Sequence, residues 1–208
     1  MIALSLAEIA AVVGGDLRLA GSSTADTVVD GVVDTDSRNM VPGSVFVAKP
    51  GAETDGHRFV GSALAAGAAL AIVEHAVDDE ITQIIVPDVI VALADLAREV
   101  VARVRAAGDL KIVGITGSNG KTTTKNFLAR ILADEGETVA PINSYNNEVG
   151  APVTMLRVTY DTRFLVSEFG ADAPGSIARL AGLVEPDIAV VLMLSLIHIS
   201  EPTRLGMI

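Results

Sequence analysis

The sequence has no cysteine and no tryptophan, and only 3% of its 208 residues are aromatic. Without cysteine, neither a disulfide framework nor a metal site built on thiolates can form. Because aromatic residues are scarce, the core has to be built from Ala, Val, Leu and Ile, and half of the residues are hydrophobic. The composition therefore predicts one or two globular domains with an aliphatic core.

Basic residues are also few: 15 Lys and Arg stand against 26 Asp and Glu, which gives a net charge of −11 at pH 7. No basic stripe occurs, so we expect no nucleic-acid partner. No apolar run reaches the ~18 residues that span a bilayer, and no basic residue precedes an apolar run at the start. We therefore expect a cytoplasmic monomer that acts on small molecules and has no membrane span.

The most informative segment is the glycine-rich run at residues 114–124, which follows the apolar residues 110–113 and opens a helical pattern. Such a turn can wrap backbone N–H groups around a phosphate, and the helix dipole adds positive charge there. Lys121 would reach the terminal phosphates and the Thr122 hydroxyl would face Mg²⁺. The residues predicted to bind ATP are Gly117, Ser118, Asn119, Gly120, Lys121, Thr122 and Thr123.

The run departs from the general phosphate-loop pattern G-x-x-x-x-G-K-[ST]. That pattern requires a glycine at position 115, where this chain has Ile115, and the glycine stands one residue earlier at Gly114. The alternative is a glycine-rich turn followed by a chance Lys-Thr pair. The strand before the run and the helix after it favour the phosphate loop.

Glu168 is the second candidate for chemistry. It follows a predicted buried strand at residues 164–167, at the end that faces the same crevice as the phosphate loop in a parallel sheet. A carboxylate there can hold Mg²⁺. A solvated loop glutamate is the alternative, and Asp172 has the same possibility as Glu168 with less support.

The pattern of elements predicts an α/β protein with two domains, at residues 1–107 and 108–193. A capping box at Ser5 predicts a first helix, and residues 56–67 predict another, with Phe59, Ala63 and Ala66 on one face. Residues 28–33, 44–48, 69–73 and 83–86 predict strands, and residues 89–107 a long amphipathic helix. From residue 111 onward strands alternate with helices, which predicts a parallel sheet covered on both faces. Its strands are predicted at residues 111–115, 138–140, 164–167 and 188–192, and its helices at 121–134, 151–158 and 177–184.

Two further sets of residues have side chains that could bind a phosphate or a metal. Ser37 and Arg38 lie between predicted strands, where the arginine could hold a phosphate, although an ion pair with Asp34 or Asp36 is equally compatible. His57, His75 and His198 have no metal-ligand spacing. We expect the first two to be surface or capping residues, and His198 to have no catalytic role.

Motifs in three separated regions of the chain, which follow one another in the order typical of the family, resemble the Mur ligases. These are the ATP-dependent amide-forming enzymes of peptidoglycan synthesis. Residues 113–123 resemble the nucleotide loop of that family, which itself departs from the general pattern. Residues 34–38, 41–48 and 54–59 resemble the family's UDP-binding domain. Residues 146–152 and 168–171 resemble the member that adds D-alanyl-D-alanine.

The resemblance implies a small N-terminal UDP-binding domain followed by the first part of the ATP-binding domain. It implies that ATP phosphorylates the terminal carboxylate of UDP-N-acetylmuramoyl-tripeptide, and that D-Ala-D-Ala then attacks the acyl phosphate. Lys121 and Glu168 would be catalytic, and Thr122 and Glu168 would hold Mg²⁺. Ser37 and Arg38 would lie near the UDP, and Asn146 and Asn147 near nucleotide and substrate.

Two other functions stay open at this point. The first is a related ligase that adds a diamino acid, or a ligase like folylpolyglutamate synthase. The second is a module that binds ATP without catalysis. The family often has Asn, His and a later Glu after the segment at residues 168–171, where this chain has Asp172, Ala173 and Ser176.

Residues 194–208 resemble no Mur ligase segment and are similar to the translation of a transposase adapter used to prepare sequencing libraries. We expect this tail to be artefactual and the chain as printed to be inactive. Reading an independent clone past codon 193 tests this expectation. A clone that encodes residues 194–208 unchanged would contradict it.

Overall fold

The computed structural model describes residues 1–51, 54–142, 146–171 and 173–193. Its strands are β1 (Leu4–Ser5), β2 (Asp16–Arg18), β3 (Val28–Val29), β4 (Val33–Asp34), β5 (Ser44–Val47), β6 (Ala68–Val73), β7 (Thr82–Ile85), β8 (Lys111–Thr116), β9 (Glu137–Val139), β10 (Thr162–Glu168) and β11 (Ile188–Val191). Its helices are α1 (Leu6–Val13), α2 (Val60–Ala65), α3 (Val89–Ala107), α4 (Lys121–Leu132), α5 (Gly150–Met155) and α6 (Ser176–Val184), with 3₁₀ turns at Ser37–Asn39 and Gly56–Phe59.

The first half of the chain forms a five-stranded sheet with the order β2-β7-β6-β5-β4. Strands β4 to β7 are parallel, and β2 joins the edge antiparallel to β7. A separate antiparallel pair joins β1 to β3. Strand β5 is buried along its whole length. The connection that follows it starts at the carboxyl edge of this sheet.

The second half forms a four-stranded parallel sheet with the order β11-β8-β10-β9. Alternate residues of its central strands face opposite sides. Ile112 and Leu165 belong to the large core that includes residues of α3, α5 and α6. Val113 and Val166 pack on the other side, against apolar residues of α4. The predicted α/β class and the parallel sheet with helices on both faces are confirmed.

Helix α3 joins the two halves. The Asp88 carboxylate caps its first turn, and the helix ends at Gly108. It packs against α1 on one side and against α5 and α6 on the other. One hydrophobic core consequently runs from the first strand to α6, and Leu96 of α3 is fully buried in it. No helix in the described part of the chain is long and apolar enough to cross a bilayer.

Several element boundaries differ from those that the sequence predicts. Residues 28–33 form two short strands instead of one, and β1 and β2 were not predicted. The helix predicted at residues 56–67 begins as a 3₁₀ turn, and of its predicted face only Ala63 is buried. Phe59 is 42% exposed and Ala66 is exposed, whereas Val60 and Ala63 are buried. The 3₁₀ turn advances the chain by a larger angle per residue than an α-helix, which shifts the buried face.

A polar contact also ties α3 to the second sheet. Arg105 of α3 donates hydrogen bonds to the Glu185 carbonyl and to the Asp187 carboxylate, both at 2.9 Å. The Asp187 carboxylate also accepts the backbone N–H of Ile112, at 2.7 Å. This backbone hydrogen bond and the arginine hold the pKa of Asp187 below its usual range.

We expect Asp187→Asn to lower the free energy of unfolding at pH 7 by roughly 1–2 kcal/mol, since it weakens hydrogen bonds to a charged group. The folded-state pKa of Asp187 is depressed, so its contribution is present above the unfolded pKa and is lost as pH falls through the folded pKa. The difference between wild type and variant should therefore shrink below about pH 4. Urea unfolding at stepped pH measures it.

Asp109→Asn is the matched control, because Asp109 is exposed and close in sequence to the same strand. Equal stability of wild type and Asp187→Asn at pH 7, or a difference that grows in acid, would contradict the assignment.

Candidate functional site

The glycine-rich loop joins the end of β8 at Thr116 to the start of α4 at Lys121. Gly117 has a φ of 146° and Gly120 a φ of 84°, values that side chains other than glycine rarely allow. A Cβ at Gly117 would also lie 2.8 Å from the Cβ of Leu192. The loop therefore needs glycine at both positions, for its backbone conformation and, at Gly117, for space.

The segment after β11 forms backbone hydrogen bonds with this loop. Leu192 donates its backbone N–H to the Thr116 carbonyl, and Ser118 donates its N–H to the Met193 carbonyl, both at 2.9 Å. These bonds extend the pairing of β11 with β8 past the end of the sheet. The loop is thus held by the backbone at its first turn.

The first turn of α4 offers the groups that bind an anion. The first backbone N–H groups of a helix lack partners within the helix, and its dipole places positive charge there. Lys121 is the first residue of α4, and its Nζ donates to the Gly117 carbonyl at 2.7 Å. The ammonium thus lies over the loop, where it can meet a bound phosphate.

Glu168 is the last residue of β10, whereas the sequence predicts it immediately after the strand. It is paired with Ile115 of β8. It is 1% exposed. Thr122 of α4 donates its hydroxyl to Oε2 of Glu168, and Asn146 donates its side-chain amide to Oε1, each at 3.0 Å. The structure therefore brings together the predicted residues Thr122, Asn146 and Glu168.

This carboxylate has neutral partners only. Within the described part of the chain, no lysine, arginine or histidine forms an ion pair with Glu168. A buried charge without an opposite charge is costly. Carboxylate and hydroxyl oxygens are the hard ligands that Mg²⁺ takes, so Glu168 and Thr122 fit the ion that the sequence predicts. Asp172, the weaker candidate, lies outside the described residues.

Asn146 and Asn147 have separate roles in the connection before α5. The Asn146 carbonyl accepts the N–H of Gly170 at 2.9 Å, and a Cβ at Gly170 would lie 3.0 Å from that oxygen. The Asn147 side-chain oxygen accepts the N–H of Gly150 at 2.9 Å, at the start of α5. Asn146 is therefore held beside the end of β10, and Asn147 at the start of α5.

Lys125 is a buried residue of this region that the sequence reasoning missed. It is 2% exposed, and its Nζ donates to the Pro141 carbonyl at 2.8 Å. It lies three residues after Thr122, so both side chains lie on the same face of α4. Lys125 thus ties α4 to the connection that carries Asn146, and this spacing was the signal that could have revealed it.

Ser37 and Arg38 lie in the 3₁₀ turn after β4, and no described contact joins them to the phosphate loop. The Arg38 side chain is 86% exposed and donates to the Asp36 carboxylate, with a shortest distance of 2.6 Å. This arginine lowers the pKa of Asp36 to about 2. In the structure, Arg38 therefore forms the local ion pair with Asp36 that the sequence left open as an alternative to phosphate binding.

His57 is buried, with 6% exposure, so of the two expected alternatives, a surface or a capping residue, the surface position is wrong. Its Nε2 accepts the backbone N–H of Glu74 at 2.8 Å, and its Nδ1 lies 2.6 Å from the Asp55 carboxylate. The ring stacks on the exposed ring of His75, with centroids 4.0 Å apart. Asp55, His57 and His75 lie close enough for a metal, but both His57 nitrogens already have partners. His198 lies outside the described residues.

Comparisons with known families match both halves of the chain. A family model described as "Mur ligase family, catalytic domain" matches residues 31–107, and one described as "Mur ligase middle domain" matches residues 115–202. The second match extends into the tail that the sequence sets apart at residue 194. The artefactual origin of residues 194–208 therefore stays a prediction.

Curated relatives named UDP-N-acetylmuramoyl-tripeptide–D-alanyl-D-alanine ligase are similar over nearly the whole chain. The one from Mycobacterium bovis is 42% identical over 97% of this chain and 43% of its own length. The one from Escherichia coli is 36% identical over 96% of this chain and 42% of its own length. The chain thus spans less than half the length of these relatives.

Solved structures agree with this match. The structure of MurF from Acinetobacter baumannii is 31% identical with a TM-score of 0.80, over 91% of this chain and 40% of that one. MurF from Thermotoga maritima, in complex with ADP, is 34% identical with a TM-score of 0.68, over 81% of this chain and 39% of that one.

We expect two variants to separate the roles of Lys121 and Glu168. Lys121→Ala should weaken ATP binding roughly tenfold or more with or without Mg²⁺, because it removes charged hydrogen bonds to phosphate. Glu168→Gln should weaken binding by about tenfold or more only when Mg²⁺ is present. Titration calorimetry with ATP, in Mg²⁺ and in EDTA, measures both.

Glu135→Gln and Lys111→Ala are the matched controls, because both residues are exposed and away from the loop. Equal loss of affinity for Glu168→Gln in EDTA and in Mg²⁺ would contradict the metal role. Unchanged affinity of Lys121→Ala would contradict the phosphate role.

Proposed function

The chain belongs to the Mur ligase family, and we propose that its parent protein joins D-alanyl-D-alanine to UDP-N-acetylmuramoyl-tripeptide. ATP drives this step in the cytoplasmic synthesis of peptidoglycan precursors. The names of the curated relatives, at up to 42% identity over 97% of the chain, support this substrate pair. The ADP in the Thermotoga maritima relative supports ATP as the nucleotide.

The observation that carries the proposal is the buried Glu168 carboxylate beside the first turn of α4. A domain that only bound a nucleotide through backbone N–H groups would not need a buried carboxylate without a cation. A Mg²⁺ ion bound by Glu168 and Thr122 would supply that positive charge and neutralise phosphate oxygens. The names of the curated relatives, which are ligases, give the proposal of catalysis more support than that of a binding module.

The reaction has two steps in which atoms and charges balance. An oxygen of the tripeptide's terminal carboxylate attacks the γ-phosphorus of ATP, the bond to the bridging oxygen breaks, and ADP leaves. The amine of D-Ala-D-Ala then attacks the acyl carbon, the bond to the phosphate oxygen breaks, and phosphate leaves. The amine loses one proton as the amide forms.

The described residues have distinct roles in this scheme. Lys121 lies over the loop and stabilises charge that develops on the transferred phosphoryl oxygens. Thr122 and Glu168 would hold the metal, and Asn146 orients the Glu168 carboxylate through its amide. Holding the reacting groups in alignment supplies a large part of such a barrier, of order 7–11 kcal/mol.

The first half of the chain binds the UDP end of the substrate in this proposal. Ser37 and Arg38 lie in an exposed turn, and the guanidinium can exchange Asp36 for a diphosphate oxygen. Asn147 lines two cavities between the halves of the chain, which supports a position beside the substrate.

The test is release of phosphate by the chain joined to its natural downstream sequence. We expect release only when ATP, UDP-N-acetylmuramoyl-tripeptide and D-Ala-D-Ala are all present, because the acyl phosphate needs the amine to react further. Omitting each substrate in turn measures this dependence. Glu168→Gln should lower the rate by about tenfold or more, with Glu135→Gln as its control.

Two results would overturn the assignment. A protein that ignores D-Ala-D-Ala but accepts a free diamino acid would be a neighbouring Mur ligase. A protein that binds ATP and turns over none of these substrates would be a binding module.

A further inference from the structure

A cleft of about 310 Å³ lies between the two halves of the chain. Its walls include Lys49 from the first half and Asn147, Glu148, Ser176 and Arg179 from the second. A smaller cavity of about 220 Å³ shares Lys49 and Asn147 with it. These two residues therefore stand where the cavities meet.

Lys49 follows the carboxyl end of β5 by two residues, at the base of a short hairpin. Its carbonyl accepts the N–H of Gly56 at 3.0 Å, and Pro50 and Asp55 form an isolated bridge above it. The buried His57 ring holds the far side of this hairpin through Asp55. The backbone of Lys49 is thus fixed, while its side chain is exposed.

The ammonium of Lys49 has no carboxylate partner among the residues that the structure describes. The acidic residue that shares the smaller cavity, Asp34, has other partners. It accepts hydrogen bonds from the backbone of Thr35 and Asp36 and from the side chain of Asn39. Lys49 therefore presents an uncompensated positive charge to the cleft.

The opposite wall adds a second cation. Arg179 of α6 forms an ion pair with Glu148, and both side chains remain more than half exposed. The larger cleft thus has two positive charges and one negative charge, in a protein whose net charge is −11. This excess of positive charge favours an anionic ligand.

The cleft also adjoins the reacting centre. Gly170, two residues after Glu168, lies in its wall, and Asn147 follows the asparagine that holds the Glu168 carboxylate. A substrate whose reacting carboxylate lies at Glu168 would place its neighbouring atoms here.

We propose that Lys49, with Arg179 on the facing wall, binds a carboxylate of the substrate's peptide other than the one that is phosphorylated. The ligand class is a peptide with a free carboxylate, attached to the UDP sugar. This inference rests on the proposed function, because it takes the peptide substrate from it. Lys49 would then select for the peptide and contribute nothing to ATP binding.

The test is titration calorimetry on the 208-residue chain with two ligands, UDP-N-acetylmuramoyl-tripeptide and UDP-N-acetylmuramic acid. Lys49→Ala should lower the affinity for the tripeptide ligand about tenfold, as expected for loss of a charged hydrogen bond. Its affinity for UDP-N-acetylmuramic acid and for ATP should not change. Lys49→Arg should retain most of the affinity, and Lys49→Gln should lose it.

Lys111→Ala is the matched control, since Lys111 is exposed and lies at the opposite end of the parallel strands. Raising the ionic strength should weaken the extra affinity for the tripeptide more in the wild type than in Lys49→Ala, which keeps only Arg179 as a cation. A purely structural role for Lys49 would not produce this salt dependence.

The outcomes separate the two proposals. If UDP-N-acetylmuramic acid binds and Lys49→Ala leaves the tripeptide affinity unchanged, the inference on Lys49 is overturned while the proposed function stands. The same holds if the two ligands bind the wild type equally. If the wild type binds neither ligand, the inference on Lys49 is overturned, and the phosphate-release assay alone decides the proposed function.

Discussion

The burial of the Glu168 carboxylate is the constraint on which the site depends. A charge that is 1% exposed has to be compensated, and its two hydrogen-bond donors come from separate segments. Thr122 belongs to the helix after the phosphate loop, and Asn146 belongs to the connection before α5. The hydrogen bonds to this carboxylate therefore align α4, the connection before α5 and the end of β10. Both donors are neutral, so the negative charge of the carboxylate is one that a divalent cation would balance.

Helix α3 determines where that site stands relative to the first half of the chain. Because its buried face packs on α1, α5 and α6, the two sheets share one core instead of meeting at a polar interface. The contact of Arg105 with Asp187 fixes the end of α3 against the start of β11. These contacts set the arrangement of the cleft walls, with Lys49 on one side and Arg179 on the other.

Features that depend on neighbours in sequence could be predicted. Helix α3 was predicted at its observed bounds from the amphipathic pattern of residues 89–107, and in the structure Asp88 caps its start and Gly108 ends it. The phosphate loop followed from its glycines, and the position of Glu168 followed from the end of a buried strand. The face of α2 could not be predicted, because the preceding 3₁₀ turn changes its phase. The burial of His57 and Lys125 depends on partners 17 and 16 residues away, Glu74 and Pro141, and only Lys125 has a local signal, its spacing of three residues from Thr122.

The site has the same two kinds of feature: one part depends on a local sequence motif, and the other depends on residues that are distant in sequence. Phosphate binding needs backbone N–H groups and one turn of helix, so a single short motif is sufficient to specify it. Recognition of a peptide needs charges on facing walls, and Lys49 and Arg179 are brought together only by the folding of both sheets around α3. In sequence, Lys49 is one basic residue among 15, and only the cleft distinguishes it. A phosphate loop can therefore be predicted from the sequence of this protein, whereas the proposed peptide site depends on the tertiary structure.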